Sequence, residues 1–143
     1  TGIKNIADAR ELVEAAAHPA AAILFDCLHF DRCDSTLEDI SAIPPDLMNY
    51  AQVCDGPVPY DPSGEAMMVL GRTARLVPGA GGIDLPPILE RLPENIPISV
   101  EVPNMSKAKK QGVADFVACA LQATKRLSRS TDLRLNCEKQ NSA

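Results

Sequence analysis

At 143 residues, 45% hydrophobic and 23% charged, the chain is long enough for one domain with a real core and has the composition of a soluble globular protein. Its net charge of −5 and pI near 5.0 argue against a surface that holds a polyphosphate backbone, so nucleic acid is not an expected partner. No apolar run approaches the roughly 18 residues of a membrane span, no secretory leader is visible, and no membrane partner is expected.

In chain order, residues 5–16 place Ile6, Ala9, Leu12, Val13 and Ala16 at helical spacing. Asn5 stands as the N-cap, Asp8 suits the helix dipole, and His18-Pro19 ends the helix. Residues 21–25 read as a strand buried on both faces, because the apolar run is continuous rather than alternating. A short helix is expected over 34–43, capped by Asp34 or Ser35 and stopped by Pro44-Pro45, followed by a strand over 49–55. Residues 56–64 are a Pro/Gly loop, 65–76 helical, 77–85 a glycine-rich connection and 85–92 a short helix. A third strand is expected over 96–102. A long amphipathic helix over 106–127 then runs through Val113, Phe116, Val117, Ala120 and Leu121. Alternating helices and strands argue for an α/β fold of parallel strands with crossover helices. Five cysteines without a CxxC pair or zinc-like spacing read as reduced thiols in a cytoplasmic compartment.

Polar residues gather where the strands end. "ILFD" ends in Asp26 with His29 just beyond, "AQVCD" carries Gln52 and ends in Asp55, and "ISVEV" carries Glu101. In parallel α/β folds, binding and catalytic groups collect at the C-terminal ends of strands. Each residue also has an ordinary reading. Asp26 alone would more often be a cap, Gln52 an edge or satisfied core amide, and His29 a packed or surface histidine. Glu101 between two valines is harder to dismiss, because a carboxylate in a buried strand needs a partner charge or a metal. Together the set suits a divalent ion such as Mn²⁺, Mg²⁺ or Co²⁺, with Zn²⁺ left open.

The segments "LFDCLHFDR", "YAQVCDGP", "RLVPGAGGIDL" and "ISVEVPN", in that order, resemble the C-terminal part of the xylose-isomerase-like TIM-barrel superfamily of sugar-phosphate isomerases and epimerases. The resemblance spans roughly residues 1–128 and leaves 129–143 as a polar tail. It implies that Asp26, Gln52 and Glu101 are metal ligands and that Glu101 is also the catalytic base. It implies that His29 hydrogen-bonds the substrate and that Arg72 and Arg75 hold an acidic substrate group. Gln52 stands where most sugar epimerases of the family have a histidine, a departure similar to bacterial 3-dehydroshikimate dehydratases of the same fold. Ala80 stands where many relatives have a glutamate.

A complete (β/α)₈ barrel takes about 250 residues, and only three strands are expected here. The chain therefore reads as the C-terminal portion of a TIM barrel. The family's first metal-binding glutamate would lie before Thr1, and another chain or an N-terminal half would complete the barrel. The implied activity is proton abstraction beside a metal-polarised carbonyl on a sugar or hydroxy-acid substrate, leading to isomerisation, epimerisation or dehydration. Two other readings stand against it. An apurinic-site endonuclease of the same fold would need more histidines than the two present, and a non-catalytic remnant or partner subunit would explain the missing ligand and Ala80.

Overall fold

Asn5 begins the first helix, α1 (Ile6–Ala16), by accepting a hydrogen bond from Asp8 N, and Ala17 ends it in the left-handed region at φ 47°. The computed structural model describes residues 2–130, with side chains to 127. Strand β1 (Ile23–Asp26) runs directly into α2 (Cys27–Asp31), a single turn not expected from the sequence, whose N-cap is Asp26 itself. Helix α3 (Leu37–Ser41) is shorter than expected and is capped by Thr36, which forms a reciprocal capping box with Asp39. Ser35 is used elsewhere: its hydroxyl accepts from Ile6 N at 3.1 Å and pins the start of α1. A 3₁₀ turn (Pro45–Leu47) leads into β2 (Met48–Val53).

Helix α4 (Gly64–Thr73) stops before Arg75, α5 spans Leu85–Leu89, and β3 (Ile98–Val100) is only three residues long. Glu101 lies just past that strand, although its N–H still donates to Val53 O at 3.1 Å. The expected long last helix is two, α6 (Met105–Gln111) and α7 (Val113–Ser130), broken at Gly112 with φ 91°. An L-residue is strained at that angle, which gives the break its glycine. Helix α7 runs past the expected boundary at Ser128, and the rest of the polar tail lies outside the described residues.

The strands form one parallel sheet in the order β1-β2-β3, with Asp26 beside Gln52 and Gln52 beside Ser99. Side chains alternate across a strand, so the two sheet faces differ sharply. Ile23, Phe25, Ala51 and Val53 point into the main core with Ile6, Ile40, Leu85 and Leu89 from the helices. The opposite face carries Leu24, Tyr50 and Ser99, all exposed, together with Asp26, Gln52 and Glu101. Strand β1 is therefore buried on one face only, against the expectation of two, because every helix packs on the same side. Val113 and Val117 of α7 are also exposed, whereas Phe116, Ala120 and Ala123 supply its buried stripe.

The strand-end carboxylate Asp55 has a structural task. It is 1% exposed and accepts from Gly56 N (2.7 Å), Gly79 N (2.9 Å), Gly81 N (3.0 Å) and Ile83 N (3.1 Å). Asp55 and Leu76 also exchange both backbone hydrogen bonds at 2.9 Å. Four charge-assisted bonds thus fold the glycine-rich connection over the end of β2. A Cβ on Gly81 would lie 2.3 Å from Gly56 O and 2.4 Å from Asp55 Oδ1, so the loop needs glycine there. Gly81→Ala is expected to lower stability by about 1–3 kcal/mol, the range of a forced overpacking. Gly64→Ala, with open space around its Cβ, is the control. Urea midpoints followed by circular dichroism separate the two, and equal midpoints would remove Asp55 as the loop's anchor.

Candidate functional site

The site forms where three successive strands end on the open sheet face. Asp26 is fixed by its own helix cap, with Oδ1 accepting from Leu28 N (2.9 Å) and His29 N (3.1 Å). That leaves Oδ2 for the site, where it accepts from Arg75 Nη1 at 2.6 Å. The same Nη1 lies 2.9 Å from Glu101 Oε2 and 3.4 Å from Cys54 Sγ. Gln52, on the middle strand, holds its amide 3.2 Å from Asp26 Oδ2 and 3.0 Å from Glu101 Oε2. With the amide nitrogen facing inward it donates to both oxygens. Asp26, Gln52 and Glu101 therefore converge, and Arg75 joins them as a fourth member.

Arg75 follows α4 and is 5% exposed. Its Nε donates to Gly71 O at 2.9 Å, and its own carbonyl accepts from Asn104 Nδ2 at 2.9 Å. Asn104 also caps α6 by accepting from Lys107 N at 3.1 Å. Burial alone would lower the Arg75 pKa, but the hydrogen bond and charge of Asp26 outweigh it and hold the guanidinium above its ordinary value. Burial pushes the Cys54 thiol up to about 11, with the Arg75 hydrogen bond only partly opposing it, so Cys54 is a neutral neighbour. The Cys27 thiol is raised well above its ordinary value, chiefly by burial and then by its coupling to the neighbouring Cys54 thiol and the Asp26 carboxylate. Cys27, Cys33, Cys54 and Cys119 are all free thiols.

His29 is exposed on α2 and lines a cavity of about 740 Å³ together with Asp26, Gln52, Leu24 and Arg32. Arg32 is nearly buried, pairs with Asp31, donates to Pro57 O at 2.6 Å and stacks 3.9 Å over the Tyr60 ring. Arg72 is exposed in the last turn of α4, and no hydrogen bond or ion pair joins it to Asp26, Gln52 or Glu101. The side chain of Glu101 is 39% exposed rather than buried, because its sheet face is uncovered.

Sequence reasoning missed the convergence of Cys54 and Asn104 on Arg75. The capping role of Asn104 was readable from its place between Pro103 and the polar start of α6, but its second bond to Arg75 was not. Asp55, read as a strand-end donor, is turned away into its loop.

Among the described residues no group of three or more His, Cys, Asp and Glu side chains is arranged to hold a metal ion. The donors that converge are two carboxylates and an amide, a hard oxygen set that fits a divalent cation in type. They fit it in place only when the Arg75 guanidinium withdraws, since Nη1 stands on both carboxylate oxygens.

No protein-family model matches the chain, and no curated protein matches it in sequence. Solved structures do. An IOLI protein determined with a bound zinc atom superposes with a TM-score of 0.73 at 21% identity, over 89% of this chain and 45% of that one. A xylose isomerase domain protein from Alicyclobacillus acidocaldarius subsp. acidocaldarius gives a TM-score of 0.67 at 24% identity, over 92% and 44%. A xylose isomerase-like TIM barrel/4-hydroxyphenylpyruvate dioxygenase fusion protein gives 0.63 at 21%, over 94% and 22%.

The chain has the fold of part of a TIM barrel. It spans less than half the length of the structures it matches. In barrel terms the helix-covered face is the outside, and the open face with Leu24, Tyr50 and Asp26 is the barrel interior. The Asp26–Gln52–Glu101 cluster then stands at the C-terminal mouth, where TIM-barrel enzymes carry their active sites.

Asp26 is buried against Arg75, whereas Glu101 is half in solvent, so their removal should differ in cost. Asp26→Ala, which strands a buried guanidinium and removes the α2 cap, is expected to cost about 3–5 kcal/mol. Glu101→Gln should cost about 1 kcal/mol or less. Chemical denaturation of both variants checks the order, and a Glu101→Gln loss as large as that of Asp26→Ala would contradict it.

Proposed function

We propose that the chain is one portion of a divalent-metal-dependent barrel enzyme that moves a proton beside a carbonyl of a sugar, sugar phosphate or hydroxy-acid. The observation that carries this reading is the convergence of Asp26, Gln52 and Glu101 from three successive strand ends on a single point. Asp26, Gln52 and Glu101 are the residues that would hold Mn²⁺, Mg²⁺, Co²⁺ or Zn²⁺. Once bound, such an ion supplies Lewis-acid polarisation of a substrate carbonyl or hydroxyl oxygen.

The chain's own groups do the rest. Glu101, half exposed on the interior face, takes the proton from the adjacent C–H and returns it. His29, at the cavity rim, hydrogen-bonds the oxygen on which negative charge develops. Arg75, and Arg72 from the end of α4, receive a carboxylate or phosphate of the substrate. Return of the proton to a neighbouring carbon or to the opposite face gives isomerase or epimerase chemistry. A second reading, loss of a β-hydroxyl as in 3-dehydroshikimate dehydratases, is favoured by the glutamine at position 52. The reduced thiols fit a cytoplasmic setting.

The reading requires a complement. A parallel sheet is stable when both faces are covered and its edges are paired. Here the interior face and the outer edges of β1 and β3 are open, and the matched structures continue for more than half their length beyond the shared part. Further β/α units, from another chain or from the N-terminal half of a longer protein, supply the missing strands and a further carboxylate ligand. No helix among the described residues is long and apolar enough to cross a membrane.

Two measurements test this. The described portion by itself is expected to associate or to melt without cooperativity in gel filtration and circular dichroism; a monodisperse monomer with a sharp melt would defeat the need for a complement. On the completed barrel, one divalent ion per barrel and exchange of a substrate C–H with deuterated water are expected. Glu101→Gln should slow that exchange by about 10²–10⁴-fold, the usual range for a general base. An unaltered exchange rate would remove Glu101 from the role.

A further inference from the structure

We propose that Arg75 is the resident counter-ion of a cation-exchange site: a divalent ion enters the Asp26–Glu101 cluster only by displacing the Arg75 guanidinium, and the Gln52 amide reverses in the same step. The inference rests on the divalent-metal reading above and adds what this chain's own residues must do to admit the ion.

Free oxygens are scarce at the cluster. Asp26 Oδ1 is already engaged by two backbone N–H groups, so only Oδ2 is available to a cation. Arg75 Nη1 stands 2.6 Å from that oxygen and 2.9 Å from Glu101 Oε2. Small divalent ions bind oxygen ligands at about 2.0–2.1 Å, so an ion on the same two oxygens would lie in direct contact with a like-charged nitrogen. One cation excludes the other.

Gln52 sets the same condition. With nitrogen inward, its amide donates to Asp26 Oδ2 and Glu101 Oε2 at 3.2 and 3.0 Å and supports the arginine-bound state. An N–H aimed at the cluster repels an incoming cation, whereas the carbonyl oxygen of the same amide attracts it. Oxygen and nitrogen of an amide are nearly isosteric, so a half-turn of the terminal torsion converts one arrangement to the other. A carboxylate at this position has no donor to offer the arginine-bound state.

Arg75 keeps a further anchor when its side chain turns, because its backbone carbonyl is held by Asn104 Nδ2, a bond that involves neither carboxylate. The guanidinium is planar, so Nε–H leaves Gly71 O as Nη1 leaves the carboxylates, while the backbone stays where it is.

Calorimetric titration with MnCl₂ of the completed barrel, with and without Arg75→Met, tests the exchange. The variant, folded by circular dichroism, is expected to bind Mn²⁺ at least about tenfold more tightly, because the competing internal cation is gone. Unchanged or weaker affinity in the folded variant overturns the exchange while leaving the metal reading intact. No Mn²⁺ binding by either protein overturns that reading and the exchange together. Should Arg75→Met not fold, the unaltered protein carries the test through ¹⁵N–¹H spectra during titration with Mg²⁺. The Arg75 Nε–H and the Gln52 amide pair should then shift with one common midpoint. A titration that moves Gln52 and leaves Arg75 in place overturns the exchange.

Discussion

A buried guanidinium joins parts of the chain that nothing else brings to one point. Arg75 reaches from the end of α4 to the carboxylate at the tip of β1 and to the carboxylate just past β3, across the thiol that follows β2. Its backbone carbonyl is gripped by Asn104, which also starts α6. The last helix pair is thereby registered to the sheet through a side-chain bond instead of through packing alone. Burying an arginine costs several kcal/mol unless its donors are met. Here Nε and Nη1 have four acceptors among Gly71, Asp26, Glu101 and Cys54. The ion pair is therefore a positioning device whose loss exposes a cost more than it forgoes a gain.

That device is needed because the sheet is packed from one side only. The helix-facing residues of β1 and β2 are buried, and their closure against α1, α3 and α5 supplies the main core. On the other face, apolar contacts hold nothing in place: Leu24 is 45% and Tyr50 37% exposed. Polar bonds carry the order there, through Arg75 at the centre, and Asp55 does the same for the loop beyond β2. Asp55 ties three backbone N–H groups of the glycine-rich loop as well as that of Gly56, which orients the segment leading into α5. Two buried aspartates thus do different work. Asp26 closes a helix cap and keeps one oxygen for the site, while both oxygens of Asp55 are spent on backbone.

The sequence reveals the elements better than it reveals their limits. Ile6 to Ala16 is legible because a polar cap, an acidic first turn and helical spacing agree. The order of parallel strands is legible because helices alternate with short apolar runs. The break at Gly112 was missed because the apolar spacing passes through it, and only the backbone angle of φ 91° shows that the helix restarts. The cap of α3 fell to Thr36 because Ser35 was drawn to α1, a long-range bond that local spacing does not predict. At the site, Asp26, Gln52 and Glu101 could be named from their strand-end positions: Asp26 pairs with Gln52, and Glu101 lies two residues past Ser99, the partner of Gln52. Arg75 could be named as basic and near, but not as their partner, because it belongs to a segment outside the sheet. The exposure of Leu24 was not legible either. A continuous apolar run does not show which of its faces the helices will cover.

Position 52 shows how closely charge balance constrains such a site. Asp26 and Glu101 face one guanidinium, which leaves a single negative charge in excess where Glu101 meets solvent. A carboxylate at position 52 would double that excess within hydrogen-bond distance of both existing oxygens. An apolar residue would add no charge but would leave Asp26 Oδ2 and Glu101 Oε2 without their second donor. Glutamine meets both conditions: it is neutral, and it can offer either end of its dipole to what lies in the centre. The amide nitrogen thus serves the arginine-bound arrangement, and its oxygen is what the proposed exchange would turn towards a metal ion.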